Sequence, residues 1–142
     1  MCSSDLSLDW QFMINVVSNA WRKRPEFQLV AGNEYMVSAG AVGATSMFTA
    51  LAAIAPKRLQ KLYEICRTEK YFDARAIQED IVVLRQLLKR YGRGALKGAL
   101  RAMGRDVGQV RPPLDPLSPA ELEKLAAELK ALKWLDAEPH GW

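Results

Sequence analysis

Phe27-Gln28-Leu29-Val30-Ala31-Gly32 decides the fold class. A short apolar run closed by glycine is the pattern of a buried parallel strand. Before it, Asp9 to Arg24 reads as a helix, with Trp10, Met13, Val17 and Trp21 at helical spacing, Asp9 as N-cap and Pro25 as terminator. Helix, strand and glycine make one step of an α/β repeat. After it, Tyr35 to Pro56 carries no charge, so a membrane span has to be weighed. Gly40, Gly43, Ser38, Thr45, Ser46 and Thr49 argue against one, and Leu51 is the only leucine there. Insertion free energy comes mainly from large aliphatic side chains. The pattern instead predicts a short helix from Glu34 to about Ala39, a strand through Val42 to Met47 and a loop to Pro56.

From Pro56 the pattern turns helical. Leu59, Leu62, Tyr63 and Cys66 share one face, and Ile77, Ile81, Leu84 and Leu88 mark a longer helix from about Tyr71 to Arg90. Gly92 and Gly94 break it, a shorter helix spans about Ala95 to Met103, and the prolines of Arg111–Pro116 require an extended connection. Ser118-Pro119-Ala120-Glu121 is a capping box, and it opens a last helix with Leu122, Leu125, Leu129 and Leu132 inward. The order is α-β-α-β followed by helices.

The chain has 142 residues, enough for one domain with a real core but well short of the roughly 250 of a closed (β/α)8 barrel. Its net charge of +4, from 20 basic and 16 acidic residues, is spread along the chain, and no nucleic-acid motif accompanies it, so no nucleic-acid partner is expected. Cys2, Cys66 and His140 do not make a set of zinc or redox ligands, so neither a metal nor a cofactor is expected. The N-terminus has neither the basic start nor the apolar core of a signal peptide, and the expected setting is cytoplasmic.

The candidate reactive groups have plain readings. Cys66 falls on the apolar face of a helix with no histidine near it in sequence, which suits a buried inert thiol. His140 falls in an expected frayed tail. Lys57-Arg58 and Arg22-Lys23-Arg24 read as solvated helix ends, and Lys97 as a helix-surface lysine. Gly32-Asn33-Glu34 is more telling. It stands where a parallel strand ends and a helix begins, the place where α/β barrels put ligand-facing loops, and where free backbone N–H groups can hold a carboxylate. An ordinary tight turn has the same geometry.

Gly43-Ala44-Thr45-Ser46-Met47-Phe48-Thr49, followed by Pro56, resembles the Gly-Ala-x-Gly-x-Ile-Ser…Asn-x-x-Pro signature of the dihydrodipicolinate synthase / N-acetylneuraminate lyase family. Tyr71-Phe72-Asp73-Ala74-Arg75, then Leu96-Lys97 through Met103-Gly104, then Arg111-Pro112-Pro113-Leu114 with Leu117, follow in the family's order. The similarity runs from about Ser7 to Leu135. It departs at Ser46, where the signature has its second glycine, and at Ala53, where it has asparagine.

The resemblance implies an α/β chain forming the C-terminal part of a (β/α)8 TIM barrel, with the end of unit six, then strands seven and eight and their helices, over 7–68. A helical extension over 69–135 and a tail over 136–142 would follow. It implies a parent lyase or aldolase that is commonly tetrameric. The parent condenses a lysine with pyruvate or a related 2-oxo acid to a Schiff base, then makes or breaks a carbon–carbon bond through the enamine. By motif position, Phe48 would face the substrate through its backbone carbonyl, Gly32 opens the strand-seven loop, and Glu34 matches a position that contacts the distal part of substrates. The family's lysine would fall near position 4, which is Ser4 here, and the first lysine of the chain is Lys23. The chain is therefore expected to lack any catalytic residue and to be inactive. Met1-Cys2-Ser3-Ser4-Asp5-Leu6 matches nothing in the family and looks like a translated short-read sequencing adapter. Residues 1–6 are therefore expected to be non-native and the rest to be a truncated part of the parent. Two strands cannot close a barrel, so a loosely folded, aggregation-prone chain is expected, with its C-terminal helices best ordered. A non-enzymatic helical interaction module is the alternative.

Overall fold

The computed structural model describes residues 2–5 and 9–141 of the chain. Met1 and Leu6 of the segment expected to be non-native, and Ser7 and Leu8 at the start of the family match, lie outside the described residues. The chain divides into two compact units, Met1–Thr49 with Leu59–Asp80, and Ala50–Arg58 with Ile81–Trp142.

The first unit is built on a three-stranded parallel sheet in the order β1-β2-β3, with β1 Cys2–Asp5, β2 Gln28–Ala31 and β3 Ala44–Met47. Helix α1, Trp10–Lys23, leads into β2, and α2, Met36–Ala41, crosses from β2 to β3. Met13 and Val17 of α1 pack with Leu29 and Ala31 of β2, Ala39 of α2 and Ala44 of β3 in one apolar cluster. Asp9 caps α1, accepting the Phe12 N–H at 3.0 Å, as its sequence position predicts. A third strand was not expected. Cys2–Asp5 pairs in parallel register with Gln28–Ala31, because the edge of a parallel strand offers unpaired N–H and C=O groups to any extended segment within reach.

Two boundaries in this unit differ from expectation for local reasons. Helix α2 begins at Met36 rather than Glu34, because Asn33 Oδ1 accepts the Tyr35 N–H at 2.9 Å and holds the chain in a turn. Strand β3 begins at Ala44 rather than Val42. Val42 still closes the helix by donating to the Ser38 and Ala39 carbonyls, and Gly43 then turns at φ +105°. A side chain could not replace that glycine, since a Cβ there would stand 2.5 Å from the Trp21 ring. The ring of Trp21 lies over that turn, and Nε1 donates to the Phe27 carbonyl at 3.1 Å, leaving the residue 43% exposed rather than inward. Thr45 is the extra residue where the register shifts between Leu29 and Val30, and its Oγ1 donates to the Leu29 carbonyl at 3.3 Å. No described helix is long and apolar enough to cross a membrane, and the uncharged stretch is instead a helix, a strand and a short 3-10 turn at Ala50–Ala53.

Helix α3, Pro56–Arg67, buries Leu59, Leu62 and Cys66, and Tyr63 is half-buried. Helix α4, Arg75–Arg90, starts four residues later than expected, after a turn through Tyr71–Ala74. In the second unit α4 contributes Ile81, Leu84 and Leu88 to the core. Helix α5, Ala95–Ala102, packs on α6, Pro119–Ala131, at close range, because Gly98 has no Cβ to strike Leu117 and Leu122. The capping box holds: Ser118 Oγ accepts the Glu121 N–H, and the Glu121 carboxylate accepts the Ser118 N–H at 2.8 Å. Leu125 and Leu129 are buried, whereas Leu122 and Leu132 are only half-buried.

The residues after α6 are not frayed. Lys133–Ala137 forms a 3-10 turn, Gly141 N–H donates to the Met103 carbonyl at 2.9 Å, and Glu138 is buried. The Glu138 carboxylate sits on the first turn of α3, accepting Lys57 N–H at 3.0 Å and Arg58 N–H at 2.7 Å. A carboxylate satisfies the unpaired donors of a helix start and complements its dipole. Lys57 and Arg58 are therefore not simply solvated: Lys57 Nζ donates to the Ala137 carbonyl at 2.8 Å, and the Arg58 guanidinium lies 5.5 Å from the Trp134 ring centroid.

Candidate functional site

Neighbouring parallel strands deliver their following loops to the same end of a sheet. Here β2 ends at Ala31 and β3 at Met47, paired in register, so Gly32-Asn33-Glu34 and Phe48-Thr49 emerge side by side. The Phe48 N–H extends the ladder by one bond, donating to the Ala31 carbonyl at 2.7 Å, and its side chain is 70% exposed. Glu34 is 2% exposed. Its carboxylate is bound across the two loops, with Thr49 Oγ1 donating to Oε2 at 2.9 Å. A buried carboxylate costs several kcal/mol of desolvation unless hydrogen bonds replace water, and this bond offsets part of that cost.

Gln78, at the start of α4, braces the same loop from behind. Its Nε2 donates to the Glu34 carbonyl at 2.8 Å and its Oε1 accepts the Val37 N–H at 3.1 Å. The structure thus brings Gly32, Glu34 and Phe48 to one end of the sheet, with Glu34 bonded inward and Phe48 turned outward. Thr49 and Gln78 were not singled out in the sequence. Thr49 stands inside the quoted signature, but its partner lies 15 residues away, and Gln78 carries no local signal at all.

The third strand adds a register relation. Ser4 pairs with Val30, which pairs with Ser46, so position 4 belongs to the second sheet row below the loops, beneath the row of Asp5, Ala31 and Met47. Lysines lie elsewhere. Lys97 Nζ donates to the carbonyls of Gln109 at 2.7 Å and Val107 at 3.2 Å, tying α5 to the connection that follows it. An ammonium held by two carbonyls is a charged strut, not a free nucleophile.

Cys66 is buried and unpaired, and burial pushes its thiol up from the usual cysteine value, which disfavours the reactive thiolate. Among the described residues no group of three or more His, Cys, Asp or Glu could hold a metal ion. A further polar element missed in the sequence is Arg105, a buried guanidinium whose Nη1 donates to the Ala53 carbonyl at 2.7 Å and so closes the Ala50–Ala53 turn.

Residues 7–132 match the family model described as the dihydrodipicolinate synthetase family. The chain is 34% identical over 97 residues to a protein of Rhizobium rhizogenes named "Probable 5-dehydro-4-deoxyglucarate dehydratase", covering 66% of this chain and 32% of that protein. It is 30% identical over 92 residues to the 4-hydroxy-tetrahydrodipicolinate synthase of Mycolicibacterium paratuberculosis, covering 64% of this chain and 31% of that one. The dihydrodipicolinate synthase of Thermotoga maritima matches in structure with a TM-score of 0.82 at 22% identity, over 93% of this chain and 45% of that chain. The shared fold is α/β, and the chain spans about a third of the curated relatives' length and less than half of the solved structure's.

Proposed function

The chain belongs to the dihydrodipicolinate synthetase family, and from that premise we propose that it forms the C-terminal part of a Schiff-base lyase or aldolase acting on pyruvate or a related 2-oxo acid. In this reading β2 and β3 are strands seven and eight of a (β/α)8 barrel, residues 69–135 are its helical extension, and residues 1–6 are not native. The parent is a cytoplasmic homotetramer that needs no cofactor. The observation that carries the reading is the Thr49–Glu34 bond, which joins the loops at the C-terminal ends of two adjacent parallel strands. Barrels of this kind place their chemistry at that end.

The division of labour follows from the residues present. Gly32 and Phe48 line the substrate site through main chain, and Glu34, fixed by Thr49 and Gln78, sets the position of the loop between them. The imine step needs an amine: a lysine Nζ adds to the ketone carbon, and water leaves as the C=N bond forms. The position matching that lysine is Ser4, so these 142 residues do not form the imine by themselves.

Borohydride trapping tests this. With pyruvate and sodium borohydride the 142-residue chain keeps its mass, whereas a longer version continued upstream of Ser7 through a lysine-bearing strand gains the mass of the reduced pyruvyl adduct. An adduct on any lysine of the shorter chain, or none on the longer one, would overturn the reading.

A further inference from the structure

Helices α5 and α6, the 3-10 turn at Lys133–Ala137 and the segment after it enclose a cavity of about 400 Å³ within the second unit. Small side chains on the helices leave the space, Ala126 among them, and the buried Met103, Leu129 and Leu135 give it an apolar floor. Three exposed polar residues share its lining: Lys130, Asp136 and His140. Cavities of this size, mostly apolar with a few convergent polar groups, are the usual form of small-molecule sites.

The polar groups define what would fit. Lys130 and Asp136 line one cavity without pairing with each other, and neither side chain has another hydrogen-bond or ion-pair partner among the described residues. His140 Nε2 lies 3.2 Å from the Leu135 carbonyl. A carbonyl only accepts, so that bond requires Nε2–H and leaves Nδ1 of the neutral ring as an acceptor. The mouth therefore offers one cation, one anion and one neutral acceptor above an apolar floor.

We propose that this cavity binds a small apolar α-amino acid. The Lys130 ammonium receives its carboxylate, the Asp136 carboxylate and His140 Nδ1 accept from its ammonium, and the aliphatic or aromatic side chain covers Met103, Leu129 and Leu135. The site lies wholly in the helical unit and is independent of the Schiff-base reading, so either can fail without the other.

Equilibrium dialysis of the 142-residue chain against radiolabelled L-leucine tests it. Saturable binding is expected, with a dissociation constant on the order of 1 mM or tighter. Isosteres that lack one charge, 4-methylpentanoate and 3-methylbutylamine, should compete about tenfold less well, since each forfeits a charge-assisted hydrogen bond. Ala126→Trp fills the space and should abolish binding. Lys130→Met and Asp136→Asn change exposed residues only, and each should weaken it about tenfold. No saturation up to about 10 mM, equal competition by 4-methylpentanoate, or unchanged affinity in both charge variants would overturn the proposal.

Discussion

The sheet of the first unit and the helical core of the second bury apolar residues to similar depth but finish their backbones differently. In the sheet, β1 and β3 each have one neighbour, so among the described residues both outer edges of a parallel sheet stay unpaired. Phe48 at the end of β3 is largely exposed. In the helical unit the ends are closed by named groups: Ser118 and Glu121 on α6, Glu138 on the start of α3, and Arg105 on the Ala50–Ala53 turn. A helix satisfies its own backbone apart from its ends, whereas a parallel strand depends on neighbours at both edges. The same degree of side-chain burial therefore predicts unequal stability for the two regions.

The largest expected effect is the inequality itself. Amides of α5 and α6 should exchange with deuterium about a hundredfold more slowly than those of β1–β3, corresponding to roughly 3 kcal/mol. Uniform protection together with a calorimetrically two-state transition would break the comparison. Next comes the helical core. Leu125 is fully buried on α6, and Leu125→Ala should lower the urea stability of the helical signal by about 2–5 kcal/mol, through lost burial and the cavity left behind.

The end closures come third. Glu138→Ala strips the Lys57 and Arg58 N–H groups of their acceptor and should cost about 1–3 kcal/mol in the same assay. A loss below about 0.5 kcal/mol would mean that water replaces the carboxylate without penalty. The smallest effect is the pH response of α6. Hydrogen bonds from Ser118 hold the Glu121 carboxyl below the usual glutamate value. A depressed folded value means that its contribution is complete above about pH 4.3 and is lost as the pH falls through the folded value. Glu121→Gln should flatten that acid-side loss of helicity, read by circular dichroism across pH 2 to 6.

Much of the fold was legible because its signals are local. Asp9 before an apolar period of 3.6, Ser118 three residues before Glu121, and glycine closing Phe27–Ala31 each encode structure within one turn or one strand. Some of the errors were local as well, whereas β1 and the ordered tail depend on partners far along the chain. Asn33 and Gly43 can turn the chain, and helix propensity does not reveal that they shorten α2 and β3 at those points.

The candidate site was legible as a pair of loops but not as an arrangement. Gly32, Glu34 and Phe48 could be singled out by motif position, yet nothing near Glu34 marks Thr49 or Gln78 as its partners.

The amino-acid order alone was enough for α1, β2, α2 and β3 in sequence with helices after them, for the caps of α1 and α6 and for the family, but not for β1. Tertiary structure alone decided where the buried charges go. Glu34 meets Thr49 across 15 residues, Arg105 reaches Ala53 across 52, and Glu138 reaches Lys57 across 81. Periodicity reports which face of an element is apolar. It carries no information about which distant polar group will replace the water that a buried charge gives up.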